Sequence, residues 1–261
     1  MSCASKCILV WSMRLAVCRN PPSQKLFDHY RKNAVPSDPP LQFVVFDCDG
    51  TLVDSANAII EAMNRAWDAE GLPAPDPTNV RSVVGLHLVE AIGRLHPEGS
   101  TADHNRMVDH YKGAFFEIRN QPDHAEPLYE GTLEVLDRLD GAGVLLGVAT
   151  GKSRRGLEAT LDRHGLLERF VNLKTSDDGP GKPNPTILQD AMREVGAERE
   201  NTIMIGDTVY DISMAVNAHV RPIGVNWGYH ATQELEAAGA AAILGSFHDL
   251  DSTLQILWGD R

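Results

Sequence analysis

The chain has 261 residues, of which 43% are hydrophobic and 23% charged. Those are the proportions of an ordinary globular protein, not of a disordered or fibrous one. Six of the 24 basic residues but only two of the 36 acidic ones lie in the first 40 positions, so that segment is net +4 and the rest −16. An acidic body repels phosphate backbones, which excludes nucleic-acid binding as the main business.

Residues 8–18 form an apolar run interrupted by Arg14. It is too short to span a bilayer, and no clean small-x-small processing site follows it. Pro21, Pro22, Pro36, Pro39 and Pro40 give residues 21–40 the character of a linker. Residues 1–40 are therefore expected to be a poorly ordered extension, and deletion of residues 1–38 is expected to leave activity unchanged. Cys3, Cys7 and Cys18 lie in that segment without further Cys or His at zinc spacing. The body has only Cys48, which fits a reducing compartment. The expected location is cytoplasmic, with no membrane and no nucleic acid as partner.

The first strand is Phe43-Val44-Val45-Phe46, a continuous apolar run of the buried type. It ends in Asp47-Cys48-Asp49-Gly50-Thr51. Residues 57–70 then read as an amphipathic helix, with Ile59, Ile60, Met63, Ala66 and Trp67 on one face. Helical patterns continue at about 86–96 and 102–118, punctuated by Gly and Pro at 73–77 and 97–100. No strand pattern occurs between Leu52 and Leu128. After Pro127, helix and strand alternate. Helices are expected at about 131–141, 153–165, 184–195, 208–218 and 232–238, and a last one ends near Leu257. Strands are expected at 144–149, 170–173, 202–205, 222–225 and 242–244. Such alternation predicts an α/β fold, a parallel sheet with helices on both faces. The helical block at 55–127 reads as an insertion into it, leaving 41–54 and 128–261 as the core.

In such sheets ligands bind beyond the carboxyl ends of the strands. Those ends carry Asp47 and Asp49, then Thr150-Gly151-Lys152, then Gly181-Lys182-Pro183, then Gly206-Asp207-Thr208 with Asp211 four residues on. Crowded carboxylates repel unless a cation sits among them, and hard oxygen ligands favour Mg²⁺. Lys182 and the backbone N–H groups near Gly50, Thr51 and Gly151 are suited to bind an anion. A carboxylate beside a metal and a lysine can attack phosphorus, and a second can protonate the leaving oxygen.

These residues resemble a known family. Asp47-Cys48-Asp49-Gly50-Thr51-Leu52-Val53-Asp54-Ser55 is similar to the first motif of the haloacid-dehalogenase superfamily. Thr150, Lys182-Pro183-x-Pro185 and Gly206-Asp207-Thr208-x-x-Asp211 resemble the second, third and fourth in order. The insertion resembles the four-helix cap of the phosphoglycolate phosphatase-like branch. The resemblance implies a Rossmann-like core, Mg²⁺ dependence and an aspartyl-phosphate intermediate. By the same resemblance Asp47 is the nucleophile and a metal ligand, and Asp49 is the general acid/base with its backbone carbonyl on the metal. Thr150 and Lys182 bind phosphate, Asp207 completes the metal site and Asp211 supports it. The implied partner is a small phosphorylated metabolite, with 2-phosphoglycolate foremost, for a monomer or homodimer. A sugar-phosphate phosphomutase and a non-catalytic binding module are the alternative readings on this fold.

Several positions carry more than one reading. Thr150 can also cap the helix starting near Ser153, and Asp211 can be a first-turn helix acid. The second motif of the family usually reads Thr or Ser followed by Asn, whereas Gly151 and Lys152 follow Thr150 here; the backbone donor survives that change and the Asn side-chain contact does not. Lys152 has two readings. It either adds a positive charge beside the phosphate or points to solvent. Asp54 caps a helix or gates the hinge. Cys48 is expected to turn away from its flanking aspartates. Arg81, His87 and Arg94 in the insertion are the candidates for recognising the substrate. His219 replaces the glycine usual after the fourth motif.

Overall fold

The computed structural model describes residues 40–121 and 124–259. The expectations for residues 1–39, including Cys3, Cys7 and Cys18, lie outside those residues. Leu41–Arg261 form one compact unit.

Six strands form one sheet: β1 (Phe43–Phe46), β2 (Leu145–Ala149), β3 (Asn172–Lys174), β4 (Thr202–Gly206), β5 (Arg221–Val225) and β6 (Ala242–Leu244). The order is β3-β2-β1-β4-β5-β6 and every pairing is parallel. β1 is central, and all four of its residues are fully buried. Its alternation splits the core in two. Val44 and Phe46 pack under α5 (Thr132–Gly141), α6 (Arg154–Arg163) and α10 (Leu250–Gly259). Phe43 and Val45 pack under α7 (Thr186–Val195) and α8 (Val209–Asn217). A sixth helix of the core, α9 (Thr232–Ala238), packs against β5 through Leu235. This is the α/β architecture expected, a Rossmann-like parallel sheet.

The register positions the site. Phe46 pairs with Val148 on one side and with Ile205 on the other. The carboxyl ends of β2, β1 and β4 therefore finish level, and Asp47, Thr150 and Asp207 emerge along one edge.

Between β1 and α5 the chain folds into α1 (Ala56–Ala69), α2 (Pro77–Ser82), α3 (Leu88–Leu95) and α4 (Thr101–Arg119). No strand lies among the described residues here, only isolated bridges from Val53 to Asp49 and Leu128. α1 packs on α4 through Ala58, Ala62, Ala114 and Ile118. Met63, Trp67, Val80, Ile92 and Met107 fill the interior of the cap. The short α2 was not expected from the sequence, because Pro73–Pro77 reads as a break. Asp76 and Pro77 in fact start it. The Asp76 side chain accepts from the N–H groups of Thr78 and Asn79, and Pro77 occupies the first turn, where no N–H is needed. Among the described residues no helix is long and apolar enough to cross a membrane.

His219, after α8, has φ +59 and an exposed side chain. A left-handed backbone costs a side-chain-bearing residue roughly 1–2 kcal/mol, part of which glycine returns as unfolded-state entropy. His219→Gly is expected to raise stability by about 0.5–1 kcal/mol, read as a higher urea midpoint at unchanged slope.

Candidate active site

The site grows from the end of β1. Asp47 is buried, and its Oδ1 accepts the Cys48 N–H at 2.7 Å. Lys182 Nζ lies 2.9 Å from the same oxygen and 2.5 Å from Asp211 Oδ1. Asp47 Oδ2 receives no hydrogen bond from any described residue. Asp211 closes a capping box on α8. Its Oδ2 accepts from the Thr208 hydroxyl at 2.7 Å and from the Thr208 N–H at 3.0 Å. Asp211 is thus a helix-cap residue and the partner of Lys182 at once. Asp207 is gripped from two sides: Thr51 Oγ1 donates to Oδ1 at 2.8 Å, and the Tyr229 N–H donates to Oδ2 at 2.9 Å. Gly50 must be glycine for this grip. Its φ is +84, and a Cβ there would stand 2.3 Å from Asp207 Oδ2.

Asp47, Asp207 and Asp211 each offer an oxygen within 4.8 Å of the others, all buried. Burial pushes the Asp47 carboxyl up to about 6, against the pull of Lys182 and with the push of Asp211. Burial, then Asp211 and Asp47, push Asp207 well above the usual range. Burial works against the Lys182 ammonium, but Asp211 and Asp47 outweigh it and hold its pKa above normal. One ammonium thus faces three carboxylates. An all-oxygen, charge-excess set of this kind fits a hard divalent cation, whose charge would reverse the upward push on the acids.

Asp49 points elsewhere. Its Oδ1 accepts from Ser55 Oγ at 2.6 Å and from Lys152 Nζ at 2.7 Å, and its Oδ2 from Lys152 at 3.0 Å. Ser55 in turn lies 3.2 Å from the Tyr229 hydroxyl. The carboxylate of Asp49 is therefore outside the acidic cluster. The structure decides the two readings of Lys152. Its side chain is 8% exposed and sits over the Phe115 ring, 5.1 Å from the centroid. It is turned to Asp49, not to solvent.

Thr150 is buried at the end of β2, where its Oγ1 accepts the Lys152 N–H at 3.3 Å. It does not cap the following helix. Ser153 does, accepting from the Gly156 N–H, because α6 begins one turn later than Thr150 could reach. Gly151 lies against the cap: a Cβ there would stand 2.7 Å from the Gly85 carbonyl oxygen. Asp54 Oδ1 accepts the Ala56 N–H at 3.3 Å. Cys48 is buried in the core and turned from the cleft, as strand alternation requires.

The three cap candidates part ways. His87 packs its ring against Gly181, beside Lys182, and its Nε2 is buried without a hydrogen-bond partner. Arg94 binds Glu90 and the Tyr210 hydroxyl, and lines a separate depression. Arg81 does not line the cleft that holds Asp47 and Asp49.

Two contributors escape the sequence pattern. Tyr229 follows β5, so its place beyond a buried strand on the same edge is a usable signal. Glu126 has none: it is a lone acid before Pro127. Its fully buried carboxylate lies 3.9 Å from Lys152, 3.6 Å from Arg163 and 3.8 Å from His124.

The haloacid dehalogenase-like hydrolase family matches residues 44–225. The Dickeya dadantii protein named "Probable phosphatase IndB" is 34% identical, over 79% of this chain and 90% of its own. A phosphoglycolate phosphatase of Vibrio parahaemolyticus is 30% identical, over 80% of this chain and 94% of its own. The crystal structure of a predicted phosphatase from Clostridium acetobutylicum shares the fold with a TM-score of 0.75 at 24% identity, covering 84% of this chain and all of that one. The chain therefore belongs to the haloacid dehalogenase-like hydrolase family, in the branch that resembles phosphoglycolate phosphatases.

Proposed function

We propose that this chain is a Mg²⁺-dependent phosphatase that hydrolyses a small phosphomonoester through an aspartyl-phosphate on Asp47. The observation that carries the reading is the pair of differently placed carboxylates: Asp47 against Lys182 and the acidic cluster, Asp49 against Ser55 and Lys152. The free oxygen of Asp47 attacks phosphorus while Lys182 and the N–H groups near Thr51 and Gly151 hold the phosphoryl oxygens. The bond to the leaving oxygen breaks, and Asp49 gives that oxygen its proton. Asp49 then takes a proton from water, whose oxygen attacks the acyl phosphate. Inorganic phosphate leaves and Asp47 is restored. Asp47, Asp207 and the backbone carbonyl of Asp49 would hold the cation, with Asp211 supporting through Lys182. When bound, Mg²⁺ neutralises charge on the transferred phosphoryl group.

In this reading Thr150 supports the phosphate pocket, and the cap at 55–127 keeps water out until the alcohol has left. Of the cap candidates, His87 and Arg94 bear on recognition only indirectly, and Arg81, which does not line the cleft, has no part in it. His87 braces the Lys182 loop, and Arg94 joins cap to core through Tyr210. Phosphoglycolate, which the Vibrio relative is named for, is the first substrate to assay. The location is cytoplasmic and the assembly a monomer or homodimer.

Asp47→Asn is expected to lower kcat for phosphate release by at least about a thousandfold with the circular dichroism spectrum unchanged. Normal turnover in that variant would sink the nucleophile assignment. Chelation of divalent metal is expected to stop release and lower Tm, both restored by Mg²⁺. The metal-free protein gives a pH test. Because folding raises the Asp47 pKa from 3.8 to about 6, the folded state holds that proton more tightly. The stability from Asp47 is full below pH 4 and is lost as pH climbs through 6. Asp47→Asn is expected to flatten that part of the Tm–pH curve.

A further inference from the structure

The cleft over Asp47 and Asp49 is a cavity of about 260 Å³, floored by Thr150 and Lys152 at the sheet edge. At about 30 Å³ for each group of water size, it has room for about nine such groups, a phosphoryl group of four heavy atoms and a leaving group of about five. Its walls are not those of a site for a short charged acid. They come from the cap and are apolar: Met63 from α1, Val84 and Leu88 around the start of α3, Tyr111 and Phe115 from α4. Val84, Leu88, Tyr111 and Phe115 pack on the cap core yet remain only partly buried. Tyr111 and Phe115 stack at 5.8 Å and 24°, so they present paired ring surface. Apolar surface left open beside a catalytic carboxylate is suited to a ligand that covers it.

Four basic residues, Lys112, Arg119, Lys152 and Arg155, also line the cleft. Lys152 is spent on Asp49. Arg119 donates to the Gly156 carbonyl at 3.2 Å, and Arg155 lies over the Phe116 ring at 4.7 Å. Lys112 is exposed. A carboxylate placed against Met63, Val84, Leu88, Tyr111 and Phe115 would lose its water to hydrocarbon.

Resting on the phosphatase reading above, we propose that the leaving group is an apolar alcohol of about five heavy atoms, in preference to a short carboxylated one. The experiment measures kcat/KM with Mg²⁺ for ethyl, butyl and hexyl phosphate, phenyl phosphate and 2-phosphoglycolate, with Asp47→Asn as the blank. Each methylene moved from water to these walls is expected to raise kcat/KM roughly fourfold. Butyl phosphate is expected to exceed 2-phosphoglycolate at least about tenfold, with the gain levelling off toward hexyl phosphate. Val84→Thr, which makes the wall polar at nearly constant shape, is expected to lower the hexyl-to-ethyl ratio about threefold. Phosphate release that is flat with chain length, or greatest with 2-phosphoglycolate, overturns the apolar assignment and leaves the phosphatase reading standing. An unchanged ratio in Val84→Thr overturns the placement of the leaving group on this wall. Release from none of the esters, or equal release by Asp47→Asn, overturns the phosphatase reading itself and this proposal with it.

Discussion

Everything at the edge of the sheet depends on one buried ammonium. Lys182 has no exposed side-chain surface, and it lies between Asp47 and Asp211. A lysine in that position would be expelled or neutralised without its partners, because a lone buried charge is prohibitively costly. Each partner is in turn committed elsewhere. Asp211 must hold the first turn of α8 through Thr208, and Asp47 must follow β1 in register with β2 and β4. The charge pair thus ties the loop before α7 to the central strand and to the helix after β4. The excess of carboxylate that remains makes the same spot a place for a cation, so stability and chemistry rest on one cluster.

The second carboxylate is kept out of that cluster by a different network. Ser55, at the entry to the cap, and Lys152, from the loop after β2, turn Asp49 toward the cleft. Buried Glu126, at the return from the cap, lies behind Lys152. Both passages between cap and core therefore end on the group that the proposed reaction uses as acid and base. A shift of the cap would change the surroundings of Asp49 before those of Asp47. The apolar walls of the cleft belong to the cap as well. In the proposed reaction the core would carry the phosphoryl chemistry and the cap would face the leaving group, with Asp49 and Lys152 at their boundary.

The strand-end aspartates, Lys182 and the order of strands and helices were legible because each follows from a local rule. A buried strand reads as a run of Val and Phe, and doubly wound sheets present ligands at strand ends. The short helix α2 was not legible as a helix. Its start signal, Asp76-Pro77, sits in a proline cluster that reads equally as a break. The direction of Lys152 was not legible either, since a flexible four-carbon stem has no periodicity to follow. Arg81 and Arg94 illustrate the same limit, for their charge says nothing about which face of the cap they occupy.

By itself, the sequence determined the parallel α/β core, the helical insertion and the family to which the acids and the lysine belong. These depend on periodicity and on short motifs, which are properties of neighbours along the chain. Only the tertiary structure decided that Lys152 faces Asp49, that Glu126 and Tyr229 join the site, and that the cleft is walled by hydrocarbon. Those residues meet across 22 to 174 positions of chain. Loop closure and packing bring them together, and neither leaves a repeating mark in the sequence. The acidic body noted at the outset is accordingly of two kinds: solvated surface charge, and a buried cluster around one lysine that the fold alone assembles.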